Sequence, residues 1–294
     1  MLKLIDYGKE NYPEESVFLL GYFDAVHVGH RALIASALSL AKGSGKKVGI
    51  MTFYDAKNGA QVYVFEERLQ LFEKLGIDFV CAAKFDENFK NTEGKEFLDT
   101  LVRSLNVKAF VCGEDFTYGK GASCGVSDLK KYCALRNIDV QVLPLVSACG
   151  EKAAASFAKR LLDEGDLSEL EKLLGGKYFI FGNVETEGRH VGRKLGFPTA
   201  NIHLSPQKYP IKTGVYAVSV VADGKLYRGI ANYGTRPTFG DQRVIAEVYI
   251  DGYSGDLYGK EITVFFDFRI RDIKKFASAE ALKRQLIEDL EKIR

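Results

Sequence analysis

The chain has 294 residues, 46% of them hydrophobic and 27% charged, with a formal net charge of +2 at pH 7. This balance belongs to a globular protein and excludes the one-signed surface that nucleic acid or an anionic membrane would require, while the length argues for two domains of ordinary size. No apolar run approaches a membrane span or a signal segment, and the five cysteines form no Cys-x-x-Cys pair, so a reducing cytoplasm is expected, with neither a disulfide framework nor a zinc site.

In chain order, short apolar runs alternate with amphipathic segments from Val17 to Val146. Strands are predicted at Val17–Leu20, Val48–Phe53, Phe79–Ala83, Ala109–Cys112 and Val140–Leu143. Helices are predicted at RALIASALSLAKG, FEERLQLFEKLG, KEFLDTLVRSL and SDLKKYCALRN, where apolar residues recur at three and four. Strand and helix in alternation specify an open, parallel, Rossmann-like α/β sheet. SFAKRLLDEGDLSELEKLLGG reads as bridging helical turns, placing a boundary near Gly175 and domains at 1–175 and 176–294. Beyond it the rhythm becomes period-two, with Asp223-Gly224 between two alternating runs as a hairpin signal, so an antiparallel β-barrel is predicted. Ser278 can cap a closing helix whose Leu282, Leu286, Leu290 and Ile293 share one face.

The first candidate site is GYFDAVHVGH, Gly21 to His30, between a predicted strand and helix. A parallel strand ends at a ligand crevice there, and the next helix aims its first N–H groups into it, which suits phosphate. His27 and His30, three apart, share a helical face and can donate hydrogen bonds to phosphate oxygens, while Gly29 lets a ligand approach the backbone. A metal site is less well supported, because only two ligands are local; plain packing is the remaining alternative.

The stretch resembles the G-x-F-D-G-V-H-x-G-H signature of the prokaryotic bifunctional riboflavin kinase and FAD synthetase family, with Ala25 in place of its second glycine. The resemblance implies a nucleotidyltransferase domain that adenylylates FMN to FAD with release of pyrophosphate. Catalytic His27 and His30 would act there, with Gly21, Phe23, Asp24 and Gly29 at the ATP phosphates. GEDFTYG, Gly113 to Gly119, looks like the family's flavin loop and implies that Asp115 meets the flavin. Two blocks depart from the family pattern. Tyr54 to Lys57 stand where a Pro-His-Pro run is usual, and Ala154 to Lys159 replace Ser-Ser-Thr-x-Ile-Arg, leaving Lys159 or Arg160 as the local cation.

The second site is GNVETEGRHVGRKLGFPTANIHL, Gly182 to Leu204. Its clustered glycines suit backbone wrapped around a ligand or tight barrel turns. Neither this stretch nor GSGKK at Gly43 carries a Walker A ending. Thr199 and Asn201, two apart on a strand, offer a hydroxyl and an amide oxygen suited to Mg²⁺, or else form a polar strand edge. Glu247 alternates with Tyr249 and Asp251 on an otherwise apolar strand, an odd place for a carboxylate without a task.

The stretch is similar to the riboflavin kinase signature, unsubstituted from Gly192 to Asn201, and ANYGTRPTFG, AEVYIDGYSGDLYGKEITVFF and FRIRDIKKFAS match later family blocks in order. The implied reaction is ATP-dependent phosphorylation of riboflavin to FMN. Glu247 would be the general base, and Gly188, Gly192, Lys194, Pro198, Thr199 and Asn201 would bind ATP or its phosphates. Thr199 and Asn201 would also hold Mg²⁺, and Arg271 would contact flavin or phosphate or simply be solvated. Riboflavin, FMN and ATP are the expected partners, nucleic acid and membrane are not, and the sequence leaves the oligomeric state open. A kinase with a degraded first domain, and a flavin or nucleotide sensor without turnover, are the alternatives.

Overall fold

Runs such as SVFL and FVCAA offer no polar face, the mark of strands covered on both sides. They lie inside a six-stranded parallel sheet. The computed structural model describes residues 1–55, 59–185, 198–236 and 241–293 and divides into two units, Met1–Phe157 and Ala158–Arg294.

In the first unit the strands are β1 (Lys3–Asp6), β2 (Ser16–Leu19), β3 (Lys47–Phe53), β4 (Phe79–Ala83), β5 (Val107–Gly113) and β8 (Asp139–Leu143). Two short pairs, β6 (Thr117–Tyr118) with β7 (Cys124–Gly125) and β9 (Ser147–Ala148) with β10 (Glu151–Lys152), complete the count. The helices are α1 (Val28–Ala41), α2 (Phe65–Lys74), α3 (Glu87–Lys90), α4 (Gly94–Leu105) and α5 (Val126–Ala134). The chain winds outward from β2 through β3 to β4, then returns to the other side of β2 for β5 and β8. The crevice beyond the carboxyl end of β2 is therefore a topological switch point, where open α/β sheets take their ligands. Every predicted strand and helix of this half is present. Sequence reading missed the two short pairs and, within the main sheet, β1, which is four residues long and pairs only with β4 at the sheet's margin, too short to show a period.

In the second unit six antiparallel strands form a barrel: β11 (Phe179–Asn183), β12 (Thr199–His203), β13 (Gly214–Ala222), β14 (Lys225–Arg236), β15 (Asp241–Ile250) and β16 (Glu261–Arg271). Their order is β11–β16–β13–β14–β15–β12. A bridge between Val184 and Ile202, with the Glu185 N–H donating to the Asn201 carbonyl at 2.9 Å, brings the two end strands together. Asp223 and Gly224 both take positive φ, 47° and 73°, as a two-residue hairpin turn of the twisted type demands. Helices α6 (Ala155–Glu164) and α7 (Leu167–Leu174), which the sequence assigns to the first domain, belong to the second unit apart from the first turn of α6. The reason is visible in their bonds: Leu162 and Glu164 carbonyls accept from Lys212, and Tyr209 donates to Asp163 at 2.8 Å.

The closing helix, α8 (Ala279–Glu291), is capped by Ser278, whose Oγ accepts from the Ala281 N–H at 3.2 Å. Leu290 packs with Val215 and Ile230 of the barrel, with Ile293 against the same cluster. Arg271 ends β16 and forks onto the fully buried Asp289 at 2.9 and 2.7 Å, while Gln285 supplies a further donor at 3.2 Å. Removing one member of such a buried pair strands the other charge, which costs about 3–5 kcal/mol, whereas an apolar pair of similar volume is close to neutral. Asp289→Ala is therefore expected to lower the second unit's unfolding free energy by about that amount, and Arg271→Met with Asp289→Leu to recover most of it. Calorimetric unfolding checks both; equal losses in the single and double variants would show that packing, not charge, is at stake.

Candidate active sites

The loop from Leu20 to His27 joins β2 to α1 in a conformation its residues disfavour. Phe23 and Val26 adopt φ of 57° and 45°, in the left-handed region, which costs of order 1–3 kcal/mol each for side chains of this kind. Three anchors hold it. The Asp24 carboxylate, buried, accepts from the N–H groups of Val62 and Tyr63 at 2.8 and 3.3 Å. Thr52, at the end of β3, donates to the Tyr22 carbonyl at 2.9 Å. Arg68 of α2, with no exposed surface, donates to that carbonyl at 3.3 Å, to the Thr52 hydroxyl, to the Phe53 carbonyl at 2.8 Å and to Gln61 at 3.0 Å. Burial pulls the Arg68 pKa down, and Tyr22, Asp24, Glu66 and Glu67 pull it back up.

The loop delivers His27 to the N-cap of α1, where its Nδ1 accepts from the His30 N–H at 3.4 Å. That bond leaves Nε2 as the protonated nitrogen of a neutral ring. The His27 and His30 rings stack with centroids 3.7 Å apart, and the Phe23 ring lies 4.8 Å from that of His30. Gly29 makes room for this arrangement: a Cβ there would lie 3.1 Å from Cε1 and Nδ1 of His27. Gly21 does the same for Phe23, whose ring would meet a Cβ at 2.8 Å. The two glycines thus clear space for neighbouring rings. Burial pushes the His27 pKa down to about 4, against a raising influence from Asp115 and a further lowering one from Lys152. The His30 pKa is also lowered, by burial first and by His27 second, and its Nδ1 is buried without a partner.

Both imidazoles line a cavity of about 690 Å³ at the switch point. One part of its wall is aromatic, with Phe53, Phe85 and Phe89 in edge-to-face contact at 5.1 and 5.2 Å, and Phe116 and Tyr118 stacked at 5.6 Å. Asp115, predicted at a flavin, lines the cavity and pairs with Lys152 at 2.7 Å. Gly21, Phe23, Asp24 and Gly29 line it too, so all the site residues predicted in this half come together. Lys159 lies 5.2 Å over the Tyr209 ring and Arg160 pairs with Glu164 at 3.9 Å, so the two cations expected from the sequence have other partners.

In the barrel, register does the positioning. Asn201 of β12 and Asn232 of β14 lie directly opposite Glu247 of β15, one on each side, and Thr199 lies opposite Tyr249. Directly paired residues share a face, while Ala200, Ile202, Ala246, Val248 and Ile250 between them are buried. Thr199, Asn201, Glu247, Tyr249 and Asn232 therefore share the opposite face, with Glu247 between two amides and Tyr249 packed against the Val215, Ile230 and Leu290 cluster. A second cavity, of about 410 Å³, is lined by Glu185, Pro198, Thr199 and Asn201 together with residues 253–258. Arg271 is the predicted residue that the structure commits elsewhere, to Asp289. Gly188, Gly192 and Lys194 lie outside the described residues. Sequence reading missed Asn232, Arg68 and Lys152. Arg68 was discoverable as a charge inside the helical stripe that includes Leu71 and Phe72, the residues three and four beyond it.

Known proteins resemble both halves. A family model described as riboflavin kinase matches residues 174–294, and one described as FAD synthetase matches residues 9–157. The bifunctional riboflavin kinase/FMN adenylyltransferase of Bacillus subtilis (strain 168) is 32% identical over 293 residues, covering 94% of this chain and 90% of that protein. The protein of the same name from Escherichia coli (strain K12) is 34% identical over 288 residues, covering 94% and 91%. A crystal structure described as a macrolide-efflux protein from Streptococcus pneumoniae superposes with a TM-score of 0.86 at 29% identity, over 99% of this chain and 98% of that one. No helix among the described residues is long and apolar enough to cross a membrane. With both halves matched in order and relatives above 30% identity over nearly the whole length, the chain belongs to the bifunctional riboflavin kinase/FMN adenylyltransferase family.

Proposed function

We propose that the chain makes FAD from riboflavin in two ATP-dependent steps: phosphorylation to FMN on the barrel, and adenylylation of FMN in the parallel-sheet unit. The observation that carries the first step is the register that sets the Glu247 carboxylate opposite Asn201 and one pair from Thr199. Glu247 takes the proton from the ribityl 5'-hydroxyl as that oxygen attacks the γ-phosphorus of ATP, with ADP leaving. Phosphoryl transfer asks chiefly for positioning and charge neutralisation, which one base and a polar cradle can meet. Thr199 and Asn201 are hard, uncharged oxygen donors on one face beside a carboxylate, a set that fits Mg²⁺ shared with ATP phosphates, and they would hold it. When bound, the ion neutralises phosphate charge. Gly188, Gly192, Lys194 and Pro198 are assigned to ATP in the same step. Arg271, given its fork onto Asp289, positions the end of β16 in this reading.

For the second step, a phosphate oxygen of FMN attacks the α-phosphorus of ATP and pyrophosphate leaves. The stacked, neutral pair His27 and His30 at the start of α1 supports this reading, because a fixed N–H donor at the cavity wall stabilises charge as it builds. Phe53, Phe116 and Tyr118 give the aromatic wall that a flavin ring requires, and Asp115 is assigned to its polar edge. Incubation with riboflavin, ATP and Mg²⁺, followed by separation of the flavins, is expected to give FMN and FAD. FMN alone would leave a kinase with an inactive first unit, and unchanged riboflavin would leave a sensor.

Glu247→Gln is expected to abolish FMN formation while keeping riboflavin affinity within about threefold, since only the proton acceptor is lost. Undiminished turnover in that variant would remove Glu247 as the base. The histidine reading has a pH signature. Burial lowers the His27 pKa to about 4 in the folded chain, from near 6.5 unfolded. Between those values the unfolded state binds more protons, so stability from this group is complete above pH 6.5 and is lost as pH falls toward 4, at no more than about 1.4 kcal/mol per pH unit. Unfolding free energy measured from pH 7 to 4 is therefore expected to fall less steeply in His27→Gln than in wild type. Equal slopes would mean that the folded imidazole titrates normally.

A further inference from the structure

ATP brings several negative charges to the first unit, yet the two histidines that meet them are neutral, so they offer hydrogen bonds and no charge. The lysine and arginine side chains that line the cavity among the described residues are Lys90 and Lys152. Lys90 is paired with Glu87 at 2.8 Å and lies 5.5 Å over the Phe85 ring, on the aromatic part of the wall. Lys152 differs in three ways. Its ammonium pairs with Asp115 at 2.7 Å, and the two charges act on His27 in opposite directions, so they stand at the histidine part of the wall. It ends β10 and leads directly into Ala153, Ala154 and Ala155, which line the same cavity. At Ala155, which also lines the cavity, helix α6 begins, and the first N–H groups of a helix favour an anion.

We propose that Lys152 is the phosphate-binding cation of the adenylylation site, and that Asp115 holds it in place until the nucleotide arrives. The proposal rests on the adenylyl-transfer reading above. Both side chains are about half exposed, 52% for Lys152 and 54% for Asp115, and an ion pair of that kind contributes little net stability. A polyphosphate, with more charge and more acceptor oxygens than one carboxylate, displaces Asp115 at small cost. The carboxylate is then released toward the flavin, so that nucleotide binding and exposure of the flavin acceptor are coupled through one salt bridge.

Inorganic pyrophosphate titrated calorimetrically into the full-length chain reads the site without any need for turnover. Lys152→Ala is expected to weaken binding by about 10–100-fold, as loss of a charge-assisted contact does. Lys152→Arg should stay within about threefold. Asp115→Asn, which removes the competing carboxylate, should bind pyrophosphate more tightly. Wild-type affinity in Lys152→Ala, weaker binding in Asp115→Asn, or no binding by wild type would each overturn the proposal. In the coupled assay Lys152→Ala should raise the ATP KM for FAD formation at least tenfold and leave the riboflavin-to-FMN rate as in wild type. A wild-type chain that makes no FAD from FMN and ATP would remove the adenylyl-transfer reading, while the pyrophosphate titration would still decide whether Lys152 binds phosphate.

Discussion

The guanidinium of Arg68 is the constraint on which the first unit's site depends. It reaches from α2 to the Tyr22 carbonyl in the loop after β2, to Thr52 and Phe53 at the end of β3, and to Gln61. The loop that begins at its Tyr22 partner includes two non-glycine positions at positive φ, Phe23 and Val26, whose strain has to be offset. Left to local preference, Phe23 and Val26 would relax, the N-cap of α1 would shift, and the His27 ring would leave its stack. Asp24 completes the restraint from the other side through Val62 and Tyr63. The strained loop, the buried ion and the imidazole pair are thus one arrangement, in which backbone strain is offset by side-chain hydrogen bonds so that two neutral rings face a cavity.

The barrel reaches a comparable result without strain. Period-two alternation sends Ala246, Val248 and Ile250 inward, and the intervening Glu247 and Tyr249 follow outward. Antiparallel pairing with β12 and β14 then fixes what stands beside the carboxylate, and a one-residue slip would bury it. Precision here comes from the same hydrogen-bond ladder that makes the barrel, so Glu247 sits where the core packing puts it. The Arg271–Asp289 fork serves the same end at the junction with α8, holding the helix that covers Val215 and Ile230.

This difference explains what could be read from the chain. The sheet, the barrel, the Asp223-Gly224 turn and the Ser278 cap all follow from local periodicity and turn chemistry, and the structure contains each of them. The period of two also makes Thr199 and Asn201 stand out as one face and Glu247 as a lone carboxylate, but only the resemblance puts the three together, and their adjacency comes from the pairing of β12 with β15. Asn232 did not stand out, since its place beside Glu247 depends on the pairing of β14 with β15. Lys152 was hidden for a related reason. It lies on a two-residue strand with no period, and its neighbour Asp115 is far away in sequence. In the sequence Gly29 reads as letting a ligand approach the backbone and Gly21 as a phosphate contact implied by the resemblance, whereas the rings that a Cβ at either would meet, His27 and Phe23, are set by the folded loop.

Charge placement connects the two halves of the chemistry. A carboxylate beside a polyphosphate, the role proposed for Glu247, raises local negative charge and demands a cation, which the oxygen donors Thr199 and Asn201 are suited to share with ATP. Neutral imidazoles make no such addition, yet they contribute no positive charge either, so the first cavity also needs a cation of its own. A chain whose net charge is only +2 supplies no general field to meet either demand. Each site must therefore be neutralised locally. In the first unit the side chain proposed to do so is a half-exposed lysine held at 2.7 Å from a carboxylate. A buried arginine such as Arg68 is already committed to four protein oxygens and cannot be released to a substrate without releasing the loop. The exposed pair can exchange partners at little cost, which is why the phosphate is proposed to fall to Lys152 and Arg68 is left to hold the loop.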